Sequence, residues 1–316
     1  MATMKTMKAK DMKKVASHQK VGKIIGLSAT YLFLGIMAII VIFPFYWMII
    51  SSLKEMDEYR RSIPTLIPKV LDFANYVEVF TDKNLLLGRL FYNTLLVGVV
   101  STFFSLIITV LSAFAFARLE FKGKNILFAL LLATMMIPGE LFTITNYQTI
   151  NDFFGLATLG KELGSDLLIK LGNWRNTYAV LIIPFLVSVF YIYLLRQNFL
   201  QIPNELYLAA KVDGTKDFKY LCKVMIPLAL PTIISITILK MMGSWNSYMW
   251  PRLVANDDAH RLITNGLRTA FTNAEGVTDI PVQMAAVAVV SLPLFLVFIF
   301  LRKYIMKGVS RSGIKG

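Results

Sequence analysis

The stretch NELYLAAKVDGTKDFKYLCKVMIPLALP, residues 204–231, is a polar, charged interval set between two strongly apolar runs. At about 100° per residue, Leu206, Ala209, Ala210 and Asp213 fall on one face of a short helix. Three of these four are small or apolar, so the helix can lie close against another surface. Gly214 supplies the left-handed conformation that ends it. Thr215 is the expected N-cap of a second short helix, with Asp217 favourably placed in its first turn. Pro227 and Pro231 then open the next apolar run. The pattern is a compact knob of two short helices that feeds a proline-marked long one.

The apolar runs decide the class. The chain has 316 residues, of which 56% are hydrophobic and 16% charged, with a mean hydropathy of +0.61; an ordinary soluble domain is about 25% charged. Stretches of roughly 18 or more apolar residues, long enough to cross a bilayer, occur near 24–50, 91–117, 126–147, 178–195, 224–250 and 284–301. An all-α membrane protein with six transmembrane helices is expected. The first run is about twice as long as a secretory signal and lacks a small-residue cleavage site, so it reads as a retained span.

The net charge of +14 is a topology signal. Residues 1–23, 118–125, 196–223 and 302–316 hold 20 Lys and Arg against 5 Asp and Glu, whereas 51–90, 148–177 and 251–283, with Arg89 set aside, hold 11 against 13. By the positive-inside bias both termini and two loops are cytoplasmic. That distribution argues against a nucleic-acid partner and for membrane lipid. The expected organisation is a basic cytoplasmic tail at 1–23, a transmembrane domain at 24–303 containing the loop 196–223, and a second basic tail at 304–316.

Polar groups at membrane depth are costly unless they face protein or water. Asn93 opens the second run, Glu140 and Asn146 lie in the third, and Lys240, Ser244, Trp245 and Asn246 lie in the fifth. Amides, hydroxyls and aromatics of this kind suit a pathway for a hydroxyl-rich solute. Prolines at 44, 138, 184, 227, 231 and 293 interrupt the runs and point to a bundle with a movable interior. No G-x-x-x-x-G-K-[ST] loop, H-E-x-x-H or G-x-S-x-G is present, and His18, His260 and Cys222 are scattered, so neither a phosphate cradle nor a metal site is expected. Work done by this chain must be powered by a partner or a gradient.

The 204–231 stretch resembles the EAA loop of binding-protein-dependent ABC importer permeases. PFYWMIISSLK (44–54), NTLLVGVVSTFFSLIITVLSAFAFARLEFKGK (93–124), MMIPGELFTITNYQTINDFFGL (135–156), SWNSYMWPRLV (244–254) and FLRKYIMKGVSRSGIKG (300–316) also resemble signatures of that family, in the family's order. The likeness is greatest to carbohydrate permeases of the maltose-permease second-subunit type. The resemblance implies a type I ABC importer permease fold in a bacterial inner membrane and import of a sugar, expected to be an oligosaccharide. It also implies a second homologous permease subunit, an extracytoplasmic solute-binding protein, and an ATPase dimer that carries ATP and magnesium, this chain binding no cofactor. Glu205, Leu206, Ala209, Ala210, Asp213, Gly214 and Phe218 become the expected ATPase-coupling residues. The chain departs from the family at Leu208, where the Glu of Glu-Ala-Ala is usual, and Glu205 is the expected substitute. The segment GKELGSDLLIKLGNWR (160–175) is longer than usual, and the outer loop 251–281 is the candidate contact with the binding protein. The alternatives are an ABC permease for a non-sugar solute and a gradient-driven secondary transporter, for which inverted repeats and midplane acids would be expected.

Overall fold

A computed structural model describes residues 2–82, 85–271 and 279–310, with side chains described over 23–82, 85–268, 271 and 279–302. Much of the expected tails, 1–23 and 304–316, therefore lies outside the described side chains. Among the described residues the chain is helical throughout, with no strand. In chain order the helices are α1 (Ala2–Ser52), α2 (Met56–Tyr59), α3 (Ala74–Thr81), α4 (Leu87–Arg118), α5 (Lys124–Thr134), α6 (Leu141–Asn151), α7 (Leu156–Leu163) and α8 (Asp166–Gly172). They continue as α9 (Tyr178–Ile182), α10 (Val189–Leu200), α11 (Asn204–Val212), α12 (Asp217–Tyr220), α13 (Ile226–Trp245), α14 (Met249–Val254), α15 (Ile263–Ala270) and α16 (Ile280–Ser310).

Among the described residues four continuous helical stretches are long and apolar enough to cross a membrane: Lys23–Ser52, Leu87–Arg118, Asp217–Trp245 and Ile280–Arg302. A fifth candidate is a bent pair, Tyr178–Phe185 with Val189–Leu200, angled by 45°. Its break follows Pro184, which cannot donate to the preceding turn, and the Ser188 side chain accepts the Tyr191 amide to restart the helix. The third expected span is corrected. Instead of one helix over 126–147, the structure has α5 and α6 on either side of MIPGE, with the amides of Met135, Met136 and Ile137 closing tight turns on Leu132, Ala133 and Thr134. Each piece has 11 residues, about 16 Å of helix, roughly half a bilayer core.

The chain divides into two compact units, Met1–Val77 with Asp279–Ala288, and Glu78–Thr278 with Val289–Gly316. In the first, the segment after α1 is bound back onto the helix exit by buried polar groups. Lys54 donates from Nζ to the Thr65 carbonyl at 2.5 Å, and Asn75 Nδ2 donates to the carbonyls of Ser52 and Lys54 at 3.0 and 2.9 Å. The Glu58 carboxylate accepts from Thr65 Oγ1 at 2.5 Å and from the Lys69 amide at 3.1 Å. The Thr65 hydroxyl, and then the Lys69 amide, hold Glu58 below the usual carboxyl range.

The second unit is organised around α4, which packs against α10, α13, α9 and α15. One face of α4 is built from small residues, Gly98, Ser101, Thr102, Ser105, Thr109 and Ala113, so neighbouring helices approach closely. A Cβ on Gly98 would stand 2.9 Å from Met241 Sδ. At one end, Ala113, Phe114, Leu195, Phe199, Tyr220, Leu221, Met225, Ala229 and Ile236 form a buried cluster. At the other, Val97, Ile150, Val180, Leu181, Trp250 and Val254 form a second.

The segment 160–175 is a tight helical hairpin, α7 against α8. Cβ atoms on Gly160 and Gly172 would stand 2.6 Å from the Ile169 nitrogen and 2.2 Å from the Ala157 nitrogen, so only glycine permits the approach. Asp152 caps α7 by accepting from the Ala157 amide and the Thr158 hydroxyl.

Candidate functional site

The knob predicted at 204–231 is present and rooted in the first buried cluster. Helix α11 ends at Val212, with Asp213 as its C-cap. Gly214, at φ +70°, donates its amide to the Lys211 carbonyl at 3.0 Å, and Thr215 donates to the Ala210 carbonyl at 2.8 Å. That 6→1 and 5→2 pair is a Schellman closure. Thr215 is therefore part of the first helix's exit and not the N-cap expected for the second; extended Lys216 precedes α12 with no side-chain cap.

The two helices are tied to each other through Asp217, whose carboxylate accepts from Tyr207 Oη at 2.8 Å and pairs with Lys211 Nζ at 3.0 Å. That carboxylate, and then Tyr207, hold the Lys211 ammonium above its ordinary range. The Tyr207 ring also lies 5.1 Å from the Tyr220 ring.

Arg118, at the last turn of α4, anchors the base of the knob. Its Nη2 donates to the carbonyls of Phe199 and Ile202 at 2.9 and 2.5 Å, and its Nη1 reaches Asn204 Oδ1 at 3.4 Å. Nearby, Arg196 Nε donates to the Phe116 carbonyl at 3.0 Å, and its guanidinium stacks 4.1 Å over Phe128. Arg118, in the stretch 93–124, and Arg196 thus act as structural clasps, a role their residue type alone does not reveal.

Which face of α11 is free is decided by packing. Tyr207 and Ala210 turn onto the buried cluster, so Ala210 is removed from the exposed face on which it was expected. Glu205, Leu206, Ala209, Asp213, Gly214 and Phe218 are exposed. Leu208 and Val212, one turn apart, are exposed beside them, Val212 at 88% and Phe218 at 67%. The outer surface of the knob is more apolar than the expected small-residue face, with Glu205 and Asp213 as exposed acids.

A cavity of about 350 Å³ lies near the other end of the same unit. Its walls are Val97 and Ser101 of α4, Phe185, Val187 and Ser188 at the break between α9 and α10, Tyr191, then Lys240, Gly243 and Ser244 of α13, with Ser247, Trp250 and Pro251 beyond. Ser101 and Ser244 approach each other at 3.3 Å between hydroxyls, Lys240 Nζ donates to the Phe185 carbonyl, and Trp250 Nε1 donates to Val180. Of the seven expected pathway residues, Lys240 and Ser244 line this cavity. Asn93 does not: it is 0% exposed, its Nδ2 donates to the carbonyls of Ala259 and Arg261, and its Oδ1 accepts from Tyr178 Oη at 2.7 Å. It pins the segment after α14 to α4. Trp245 is buried with its ring against Phe91, Asn246 is exposed, Asn146 is half-buried on α6, and Glu140 is exposed at the break before α6. Ser101, Ser188, Ser247, Tyr191 and Trp250 carried no sequence signal that separates them from other small or aromatic residues in apolar helices. Among the described residues no group of three His, Cys, Asp or Glu could hold a metal.

Residues 28–311 match the family model of the binding-protein-dependent transport system inner membrane component. The chain belongs to that family. This permease is thus a multi-pass membrane component of a transport system and not an enzyme. It is 30% identical over 281 residues to the arabinooligosaccharides transport system permease protein AraQ of Halalkalibacterium halodurans, covering 88% of this chain and 93% of the relative. It is 28% identical to the sn-glycerol-3-phosphate transport system permease protein UgpE of Rhizobium meliloti, covering 88% and 94%, and 28% identical to the diacetylchitobiose uptake system permease protein NgcG of Streptomyces coelicolor, covering 87% and 84%. The fold matches a chain of a bacterial ABC transporter involved in the import of the acidic polysaccharide alginate, with a TM-score of 0.72, 23% identity, and coverage of 89% and 96%.

Proposed function

We propose that this permease is one of two transmembrane subunits of an ATP-driven importer in a bacterial inner membrane. It receives an oligosaccharide from an extracytoplasmic binding protein, crosses the membrane six times, with α5 and α6 together making the third crossing, and keeps both termini in the cytoplasm. The second subunit is a homologous permease, and ATP and magnesium reside on a paired ATPase. The observation that carries the reading is the knob: a rigid pair of helices, rooted by Arg118 and joined to α13, that presents Leu208, Val212 and Phe218 to the outside. An exposed apolar cluster of this kind marks a surface that another protein covers. Glu205, Leu206, Ala209, Asp213 and Gly214 surround it and form the rest of the coupling surface, with Glu205 in the role of the acid that Leu208 displaces. Lys240 and Ser244 belong to the solute pathway. The sugar assignment is supported by the arabinooligosaccharide and diacetylchitobiose permeases among its relatives. A second reading, a non-sugar solute, is favoured by the sn-glycerol-3-phosphate relative.

The test is co-purification of the ATPase with the affinity-tagged permease and its partner subunit. Val212→Asp should lose the ATPase while both permeases remain together in the membrane. Retention of the ATPase at wild-type yield would sink the docking assignment.

A further inference from the structure

From the cavity between α4, the α9–α10 break and α13, we infer that the transported solute carries an anionic group, a carboxylate or a phosphate, which Lys240 engages. The inference rests on the importer reading and narrows its substrate class. A lysine inside an apolar span is costly and persists where it faces protein or a polar cavity. Lys240 does both: it lines the cavity, and its Nζ donates to the carbonyl of Phe185, freed by the break after Pro184. An ammonium has three donors, and that carbonyl takes one. The ion pairs among the described residues, Lys211 with Asp217, His260 with Asp257 and Arg261 with Asp258, do not include it. Among the described residues no carboxylate from the packed elements neutralises this cation. The remaining polar wall is hydroxyl, from Ser101, Ser188, Ser244 and Ser247, with the Trp250 and Tyr191 rings beside it. Hydroxyls and aromatic faces suit a sugar ring, and the uncompensated ammonium suits an acid on that ring. The volume, about 350 Å³, falls within the range of small-molecule sites, about 300–1,000 Å³. A purely structural lysine, acting only as a clasp for the Phe185 carbonyl, would affect all solutes alike.

The test uses the full complex, reconstituted in liposomes with its binding protein. Import is compared for an oligouronate and its carboxyl-reduced neutral twin, and separately for a sugar phosphate and the free sugar. The wild type should prefer one acidic probe over its neutral twin, and the pair that shows the preference identifies carboxylate or phosphate. In Lys240→Met the acid-to-neutral ratio should fall by about tenfold or more, the scale of one lost charge-assisted hydrogen bond, and Lys240→Arg should restore most of it. A ratio unchanged in Lys240→Met, or equal loss of both members of a pair, overturns the inference. Should the variants fail to assemble, the wild-type comparison still decides: import of neutral probes alone refutes the anionic solute and leaves the importer standing. Import of none of the four refutes both.

Discussion

Replacing Arg118 by Met keeps an unbranched apolar stem but removes the guanidinium that holds the knob to α4. The loss is concentrated in two bonds, to the carbonyls of Phe199 and Ile202 at 2.9 and 2.5 Å; the 3.4 Å approach to Asn204 adds little. Hydrogen bonds to charged groups contribute roughly 1.5–3 kcal/mol each. Two give about 3–6 kcal/mol, and water entering the vacated site offsets part of it, which leaves about 3 kcal/mol. At roughly 1.4 kcal/mol per factor of ten, local opening of the knob becomes about a hundredfold more frequent. Hydrogen exchange of the complex in nanodiscs reads this directly, because amides near α11 and at Thr215 exchange through that opening. Protection over residues 199–215 should fall by about two orders of magnitude, with α4 above Ala113 unaffected. Equal protection in wild type and Arg118→Met would show that the knob is held by the buried cluster alone, and the clasp argument would be wrong.

Gly172→Ala places a methyl group where the Ala157 backbone stands 2.2 Å away, so the α7–α8 hairpin must open. Tryptic cleavage at Lys161 and Lys170 should accelerate, and an unchanged digestion pattern would contradict the close approach. Glu58 has a depressed pKa, so its contribution to the loop after α1 is present above the ordinary carboxyl value of about 4.3 and is lost as pH falls through its lower folded value. The Lys69 amide should therefore lose protection on acidification in the wild type. In Glu58→Gln it should be weakly protected at every pH, and a matching pH profile in both proteins would refute the assignment.

The long helices were legible because bilayer crossing demands an apolar length that few other structures need. That same signal put one span over 126–147: Pro138 marked an interruption there, but Met135, Met136 and Ile137 carry the apolar run up to it, so its letters do not say whether the helix bends or breaks. Gly214 was legible because the left-handed turn has one cheap occupant. Thr215 was misread because a threonine after such a glycine suits either the exit of one helix or the entry of the next, and only its bond to Ala210 decides. Asn93 shows a similar ambiguity: a buried amide that clamps a loop and one that lines a pathway look identical in a string of letters. Lys240 was found because its charge is rare at that depth, whereas the serines around it are common in such helices. Periodicity placed Ala210 outside, but the outer face of α11 depends on where Tyr207 packs, a tertiary fact.

Helix α13 carries the cavity's cation near one end and grows out of the knob at the other. Ile226 and Lys240 are 14 residues apart on one helix, about 21 Å of continuous helix with Pro231 inside it. A turn of that helix about its axis would sweep Lys240 away from the Phe185 carbonyl and across the cavity, like a key bit driven by its bow. On the proposed function, the grip on a solute and the posture of the coupling loop are therefore two readings of a single rotation.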